Sequence, residues 1–232
     1  MAEIKKILIA NRGEIVQRAI RTIREMGKKS VAVYSAGDKN ASYLKHADEA
    51  VCIGGAKSSE SYLNIPAIIT AAEMTGCDAI FPGYGFLSEN QDFVEICRLH
   101  NIKFIGPSVE VMEKMADKSK AKEEMIRAGV PVVPGSKGSV HSVTEGRKVA
   151  LEIGYPIMAK AAAGGGGRGM RLIHDESEFD QLFMAASSEA LAAFGDGTMY
   201  LERFINNPRH IEVQVVGDSH GNAIHIGERD CS

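Results

Sequence analysis

The sequence predicts an α/β protein of two domains, in which a parallel sheet comes first and a mixed α+β fold follows. Short apolar runs alternate with helical patterns over residues 4–105, and this alternation is typical of a parallel sheet covered by helices on both faces. The alternation ends at the Gly-Pro-Ser sequence of residues 106–108. A chain of 232 residues is long enough for two domains with cores of their own.

The elements of the first part follow from local patterns. Its strands are short apolar runs, and its helices repeat apolar residues at helical spacing. The predicted strands are residues 4–10, 30–34, 50–53, 79–81 and 103–105. The predicted helices are residues 15–26, 65–75 and 92–100, and Gly27 stops the first of them.

The second part begins near residue 110, where we place the domain change. Residues 108–128 are charged and helical in pattern, with a break near Asp117, and residues 129–135 form a boundary rich in proline and glycine. Beyond this boundary the strands follow one another closely, which predicts antiparallel hairpins rather than further crossover units. Helices are predicted at residues 143–153 and from Ser177, and strands at residues 156–160, 170–174, 199–205, 210–216 and 223–228.

The composition excludes several functional classes. Hydrophobic residues make up 44% of the chain and charged residues 25%, as in ordinary globular proteins. The net charge of -3 offers no basic field for nucleic acid, so small molecules are the predicted partners. The four cysteines lack the paired spacing of a zinc site and are predicted to be reduced thiols. No apolar run approaches the roughly 20 residues of a membrane span, so we expect no membrane partner and a cytoplasmic location.

A glycine-rich loop is the strongest single motif. Residues 164–169 match the pattern GxGxxG, but a dinucleotide fingerprint opens a helix, whereas residues 170–174 look like a strand. A phosphate-binding P-loop is excluded because no Lys-Ser or Lys-Thr follows the glycines. The loop is therefore predicted to be a hairpin tip over phosphates, where missing Cβ atoms let backbone N–H groups approach closely. Lys160 and Arg168 bracket the phosphate position. The alternative is a plain surface turn, which the entropy of ordering four glycines disfavours.

Several long motifs, taken together and in order, resemble those of the biotin carboxylases, the ATP-grasp component of acetyl-CoA, propionyl-CoA and pyruvate carboxylases. The motifs occupy residues 6–15, 61–66, 82–90, Lys160 with the glycine loop, 207–211 and 228–232. The resemblance covers the whole chain. It implies a Rossmann-like preATP-grasp domain at residues 1–110. An incomplete α+β ATP-grasp domain at residues 111–232 would follow, with a glycine-rich lid at about residues 132–204.

The resemblance also implies an ATP site and a biotin side. Tyr84 and Glu89 map to the biotin side. Lysine suits phosphate charge, and an extended segment at residues 202–205 can read adenine with backbone groups and hold ribose hydroxyls with a carboxylate. At Arg203 many relatives carry lysine, which matters little if the contact there is through the backbone. The implied ATP-binding residues are Lys118, Lys160, Gly165, Gly166, Gly167, Glu202, Arg203, Phe204, Ile205 and His210.

Other readings of these residues stay open. Without the resemblance, residues 83–86 would be a strand-end turn in which Tyr84 merely packs, although ligands do bind where parallel strands end. The turn at residues 11–14 lacks the glycine spacing of a cofactor loop, and we expect it to tie the domains together. The seven histidines have no HxH or HxxxH spacing, so no histidine metal site is predicted.

The implied reaction is ATP-dependent carboxylation of biotin with bicarbonate through carboxyphosphate, in acetyl-CoA carboxylase for fatty acid synthesis. Its implied cofactors and partners are ATP, Mg²⁺ or Mn²⁺, bicarbonate, biotin on its carboxyl carrier protein, a carboxyltransferase component and, at full length, a second identical subunit. No catalytic residue or metal ligand is predicted in this chain, because the family places those residues downstream of Ser232.

We therefore expect a piece of a polypeptide roughly twice as long, which binds ATP weakly and is inactive alone. The competing interpretations are another ATP-grasp ligase, of carbamoyl-phosphate or purine synthesis, and a non-catalytic nucleotide-binding module. The motifs at residues 82–90 and 207–211 favour biotin carboxylase over the other ligases.

Overall fold

The computed structural model describes residues 3–116, 118–162 and 169–231, and of residues 116 and 118–120 it describes only the backbone. The chain divides into two compact units, Met1–Glu124 and Met125–Ser232. Each unit is built around its own sheet.

The first unit contains a five-stranded parallel sheet in the order β3-β2-β1-β4-β5. Its strands are β1 (Lys6–Ile9), β2 (Lys29–Tyr34), β3 (Glu49–Cys52), β4 (Ala79–Phe81) and β5 (Lys103–Phe104). The helices of this part of the chain are α1 (Gly13–Glu25), α2 (Ile65–Met74), α3 (Gln91–Leu99), α4 (Val109–Ala116) and α5 (Lys118–Arg127). The predicted parallel sheet is confirmed. The break predicted near Asp117 lies outside the described residues.

Both faces of this sheet are buried at its inner strands β1 and β2, whereas the edge strand β3 is largely exposed. Successive side chains of a strand point to opposite faces, so Leu8 joins one apolar cluster, with Ile80 and Phe93, while Ile7 and Ile9 join the other. Helix α1 covers the second cluster with an apolar stripe that includes Ile20. Continuous apolar runs therefore form the strands, as expected for a parallel sheet.

The strand order reverses between β1 and β4. From β1 the chain adds β2 and then β3 on one side, and β4 then pairs with the other side of β1. In open α/β sheets, ligands bind in the crevice at the carboxyl ends of the strands where the order reverses. The loops that follow β1 and β4 flank this position.

The second unit is mixed α+β with antiparallel strands, as predicted. Strands β6 (Ile157–Ala161), β7 (Met170–Ile173) and β8 (Met199–Arg203) form a sheet in the order β7-β6-β8. Helices α6 (Val143–Ile153) and α7 (Glu176–Phe194) pack on this sheet. Strands β9 (Ile211–Gly217) and β10 (Ala223–Asp230) form a separate antiparallel hairpin.

Strand β8 ends earlier than its sequence pattern predicts. We expected a strand at residues 199–205, but the strand stops at Arg203. Its partner β6 begins at Ile157, after Pro156, which has no N–H to donate to a ladder. The last bond along this edge runs from the Phe204 N–H to the Pro156 carbonyl, at 2.9 Å.

Candidate nucleotide-binding site

The three-stranded sheet of the second unit has one covered face and one open face. Ile157, Ala159, Met199 and Leu201 are buried in the cluster formed with α6 and α7. The residues between them in sequence point to the opposite side, because side chains alternate along a strand. We call that side the open face. It carries Met158, Lys160, Met170, Leu172, Tyr200 and Glu202, all partly exposed.

Two predicted ATP-binding residues meet on the open face. The Lys160 ammonium donates a hydrogen bond to Glu202 Oε2 at 2.6 Å. Lys160 is opposite Tyr200 and Glu202 is opposite Met158 in the strand register, so the ion pair runs diagonally between neighbouring strands. The two side chains are 39% and 24% exposed. A cation suited to phosphate and a carboxylate suited to hydroxyl groups therefore stand side by side and within reach of a ligand.

Four apolar or aromatic residues of the open face were missed by the sequence reasoning. Met158 is opposite Leu172, and Met170 is opposite Lys160, in the register of β6 and β7; Tyr200 faces Lys160 from β8. Together they give the ion pair an apolar surround, which is the usual composition of a small-molecule site. The signal that could have found them is the alternation of period two that also contains Lys160 and Glu202.

The last residue of β8 and the residue after it have backbone donors already in use. The N–H of Arg203 donates to the Pro134 carbonyl at 2.8 Å, and that of Phe204 donates to the Pro156 carbonyl at 2.9 Å. The Arg203 guanidinium donates to the Ile153 carbonyl at 3.2 Å, at the end of α6. Arg203 and Phe204 therefore hold the segment in place through these groups. Within the described residues the N–H of Ile205 takes part in no such bond, and the Ile205 side chain is 49% exposed.

The position of the glycine-rich loop agrees with a hairpin. Lys160 and Met170 are paired in antiparallel register, so the chain between them joins neighbouring strands. The segment after the glycines is strand β7, which excludes the dinucleotide fingerprint. Gly169 has a φ of +66°, and a Cβ on it would lie 2.9 Å from the Ala161 Cβ, so a side chain here would be strained and crowded. Gly165, Gly166 and Gly167 lie outside the described residues.

The remaining predicted ATP residues are placed only in part. Lys118 begins α5, and its side chain lies outside the described residues. His210 is exposed just before β9, where its carbonyl accepts the Cys231 N–H at 2.8 Å. Their roles in ATP binding stay predictions.

In the first unit, the turn after β4 presents the predicted biotin-side residues. Tyr84 is 67% exposed and its hydroxyl donates to Glu14 Oε1 at 2.8 Å. Glu89 is also exposed. Tyr84 is therefore a largely exposed side chain of a strand-end turn, and its role on the biotin side stays a prediction. Asn11, at the end of β1, donates to the carbonyls of Pro82 and Tyr84, so the described contacts of the turn at residues 11–14 join two strand ends of the first unit.

A cavity of about 540 Å³ lies beside this turn. Asp38 at its edge accepts hydrogen bonds from the Tyr62 hydroxyl at 2.6 Å, from Arg12 at 2.7 Å and from the Ser35 hydroxyl at 3.0 Å. Burial alone would raise the pKa of Asp38, but these bonds outweigh it and lower the pKa. The cavity is lined by Arg12, Gly13, Glu14, Gln17, Asp38, Ala41, Ser42, Tyr43 and His46.

The described residues contain neither a metal-binding cluster nor a membrane-spanning helix. Across residues 3–116, 118–162 and 169–231, no three His, Cys, Asp or Glu side chains are grouped so that they could hold a metal ion. Among the helices of the same ranges, none is both long enough and apolar enough to cross a membrane.

A Rossmann-like unit followed by an α+β unit with an antiparallel hairpin agrees with the class of ATP-grasp nucleotide-binding proteins. Residues 3–112 match the family model described as biotin carboxylase, N-terminal domain. Residues 117–232 match the model described as carbamoyl-phosphate synthase L chain, ATP binding domain. The chain belongs to the biotin carboxylase family, of which it represents the N-terminal portion.

Curated relatives and solved structures agree with this assignment. The biotin carboxylase of Nostoc sp. is 59% identical over 98% of this chain and 51% of its own length. The crystal structure of a biotin carboxylase–β-γ-ATP complex from Campylobacter jejuni is 68% identical with a TM-score of 0.83, over 99% of this chain and 52% of that one.

A second solved structure is the biotin carboxylase domain dimer of Hydrogenobacter thermophilus 2-oxoglutarate carboxylase, in complex with MgADP, ADP and bicarbonate. It is 50% identical with a TM-score of 0.80, over 100% of this chain and 51% of that one. The chain thus spans about half the length of the relatives that it matches.

Proposed function

We propose that this chain supplies the ATP-binding part of a biotin carboxylase, an enzyme that carboxylates carrier-bound biotin with bicarbonate at the expense of ATP. The observation that carries the proposal is the Lys160–Glu202 ion pair on the open face, at the base of the β6–β7 hairpin. The ATP, MgADP and bicarbonate complexes of similar structures support it.

The open face suggests how ATP is held. When phosphate arrives, the Lys160 ammonium exchanges Glu202 for phosphate oxygens, and the freed carboxylate accepts hydrogen bonds from ribose hydroxyls. Met158 and Met170 pack against the adenine ring, since methionine adapts to flat aromatic surfaces. The Ile205 N–H and the carbonyls of residues 202–205 bind the adenine edge.

The remaining predicted residues complete this proposal. The N–H groups of Gly165, Gly166 and Gly167 approach the phosphates. Lys118 adds a second cation, and His210 a second ribose contact. Mg²⁺ or Mn²⁺, when bound, neutralises phosphate charge. Tyr84 and Glu89 contact the biotin side.

The chemistry in this proposal is a phosphoryl transfer followed by a carboxylation. A bicarbonate oxygen attacks the γ-phosphorus, ADP leaves, and the resulting carboxyphosphate breaks down to phosphate and carbon dioxide, which the biotin ureido nitrogen attacks. The part assigned to this chain is to position ATP and to exclude water. We propose that the base and the metal ligands lie in the half of the family's length that this chain does not span, and we expect the 232 residues alone to give no turnover.

The wider setting of the proposal follows the family. We propose that the whole protein is a homodimer in the cytoplasm and works with a biotin carboxyl carrier protein and a carboxyltransferase component. Acetyl-CoA carboxylase of fatty acid synthesis is the assembly that we favour, because several similar curated proteins are biotin carboxylases only about twice as long as this chain.

Calorimetric titration of ATP into the 232-residue chain tests the ATP-binding role. We expect Lys160→Met to weaken ATP binding by about tenfold or more, since a hydrogen bond to a charged group is worth about 1.5 to 3 kcal/mol. Lys148→Met is the matched control, because Lys148 is an exposed lysine on α6. Equal affinities in the two variants would refute the assigned role of Lys160.

The catalytic role is tested in the full-length polypeptide that carries these residues. The proposal predicts ATP hydrolysis that depends on both biotin and bicarbonate. ATP binding without any such turnover would instead favour a non-catalytic nucleotide-binding module.

A further inference from the structure

Asn11 is a buried asparagine whose hydrogen bonds the proposed ATP site does not use. It is 1% exposed and follows β1 after a single residue. Its side-chain amide donates to the Pro82 carbonyl at 2.7 Å and to the Tyr84 carbonyl at 2.8 Å, while its Oδ1 accepts the Arg12 N–H at 2.8 Å. Both amide hydrogens and the amide oxygen are therefore engaged with backbone groups.

These bonds lie at the point where the strand order reverses. The last backbone rung between the two strands runs from the Ala10 N–H to the Phe81 carbonyl, at 2.9 Å. The Asn11 side chain continues this pairing beyond the sheet, onto the turn that follows β4. Ligands of open α/β sheets bind at this crevice, so the Asn11 side chain is bonded to a loop at the expected ligand position.

The turn has a backbone conformation that needs support. Gly83 and Gly85 have φ angles of +64° and +74°, and Phe86 has a φ of +43°. A residue with a side chain keeps such a conformation only when its surroundings hold it there. The Phe86 ring stacks on Tyr62 at 5.0 Å between centroids, and Asn11 holds the other end of the turn.

Asn11 also approaches the turn too closely for any side chain at Gly83. A Cβ on Gly83 would lie 2.9 Å from Asn11 Nδ2 and 2.6 Å from Ile15 Cγ2. The backbone at Gly83, between the two carbonyls that Asn11 binds, therefore packs directly against Asn11 and Ile15. Tyr84 is the next residue, and its hydroxyl is bonded to Glu14 in the first turn of α1.

We propose that Asn11 is a positioning residue, which fixes the carbonyls on both sides of Gly83 and thereby sets where the Tyr84 ring stands. This inference rests on the proposed function, which places Tyr84 on the biotin side. Asn11 touches neither biotin nor ATP in this account. Its loss should therefore affect the use of biotin and leave the use of ATP unchanged.

Steady-state kinetics of the full-length polypeptide, with free biotin as the substrate, test the proposal. We expect Asn11→Ala to raise the KM for biotin about tenfold and to change the KM for ATP by less than about twofold. Asn64→Ala is the matched control. Asn64 is also a structural asparagine of the first unit, but it caps α2 by accepting the Ala67 N–H at 3.1 Å, so its loss should leave both KM values unchanged.

The outcome against the proposal is equally specific. If Asn11→Ala lowers kcat alone, or raises both KM values together, Asn11 merely stabilises the fold and the proposal is overturned. If the wild-type polypeptide shows no biotin-dependent ATP hydrolysis, the proposed function fails by itself. In that case the ¹³C-tyrosine NMR spectrum of the 232-residue chain tests whether Asn11 positions the Tyr84 ring.

The Tyr84 signal in that spectrum is assigned by its disappearance in Tyr84→Phe. The proposal predicts that Asn11→Ala shifts or broadens this signal while Asn64→Ala leaves it unchanged. A Tyr84 signal that is the same in both variants overturns the proposal, whatever the enzymatic activity.

Discussion

Replacing Gly83 by alanine tests the close fit between the ends of β1 and β4, and Gly85 supplies the control within the same turn. Both glycines have left-handed φ angles, +64° at Gly83 and +74° at Gly85. They differ in their surroundings. A Cβ at Gly83 would lie 2.6 Å from Ile15 Cγ2 and 2.9 Å from Asn11 Nδ2, whereas a Cβ at Gly85 would meet no atom within 4 Å.

The expected free energies of unfolding follow from that difference. Each alanine incurs the cost of a left-handed conformation, about 1 to 2 kcal/mol. At Gly83 the crowding adds about 1 to 3 kcal/mol, the usual cost of forcing extra atoms into a packed region. The first unit should therefore be unfolded in a larger fraction of Gly83→Ala molecules than of Gly85→Ala molecules, by a factor of roughly 5 to 150.

Thiol labelling measures this opening in the first unit alone. Cys77 and Cys97 are buried in that unit, while Cys52 and Cys231 are exposed. Burial raises the pKa of Cys97 to about 12, so this thiol reacts only after the unit opens. We expect the slow labelling phase to accelerate more in Gly83→Ala than in Gly85→Ala. Equal rates in the two variants, or a faster rate in Gly85→Ala, would refute the packing argument.

Two further predictions concern stability. Hydrogen bonds, first from Lys29, lower the pKa of Asp48 to about 2. Since an unfolded aspartate has a pKa of about 3.9, the stabilisation is present above that value and is lost as the pH falls towards 2. In urea unfolding at pH 5, the free energy of unfolding of the wild type should exceed that of Asp48→Asn by about 1 kcal/mol. At pH 2.5 this difference should be smaller. Gly146→Ala should destabilise the second unit by about 1 to 3 kcal/mol in urea unfolding, because the added Cβ would lie 2.9 Å from Phe179 Cζ. Gly138→Ala is the control, since a Cβ there would meet no atom within 4 Å. Equal destabilisation by the two substitutions would contradict the packing explanation.

Local patterns were sufficient to predict most elements. Helix α6 and strand β4 occur at the predicted residues, 143–153 and 79–81. Their ends are set by neighbouring residues, such as Ser142, whose hydroxyl accepts the Glu145 N–H at 3.2 Å. The predicted end of β8 was wrong by two residues, because the true end depends on where the partner strand begins. That information lies elsewhere in the chain.

The candidate site could be predicted only in outline. Motif order predicted Lys160 and Glu202 as site residues, but they are 42 positions apart, and their contact depends on the pairing of β6 with β8. The same pairing places Met158 on the open face. The bond from Asn11 to the Pro82 carbonyl spans 71 positions and links two strand ends. Strand register is a property of the fold, so the local sequence did not contain these contacts.

We expect ATP to bind on the open face of the second unit. Methyl NMR of the methionines in the 232-residue chain, during titration with ATP, tests this most directly. Met158 and Met170 lie on the open face, whereas Met184 is 53% exposed on α7 and Met74 is 79% exposed on α2. Binding on this face should give saturable shifts of the Met158 and Met170 methyl signals and leave those of Met184 and Met74 unchanged. Unchanged Met158 and Met170 signals at saturating ATP would contradict it.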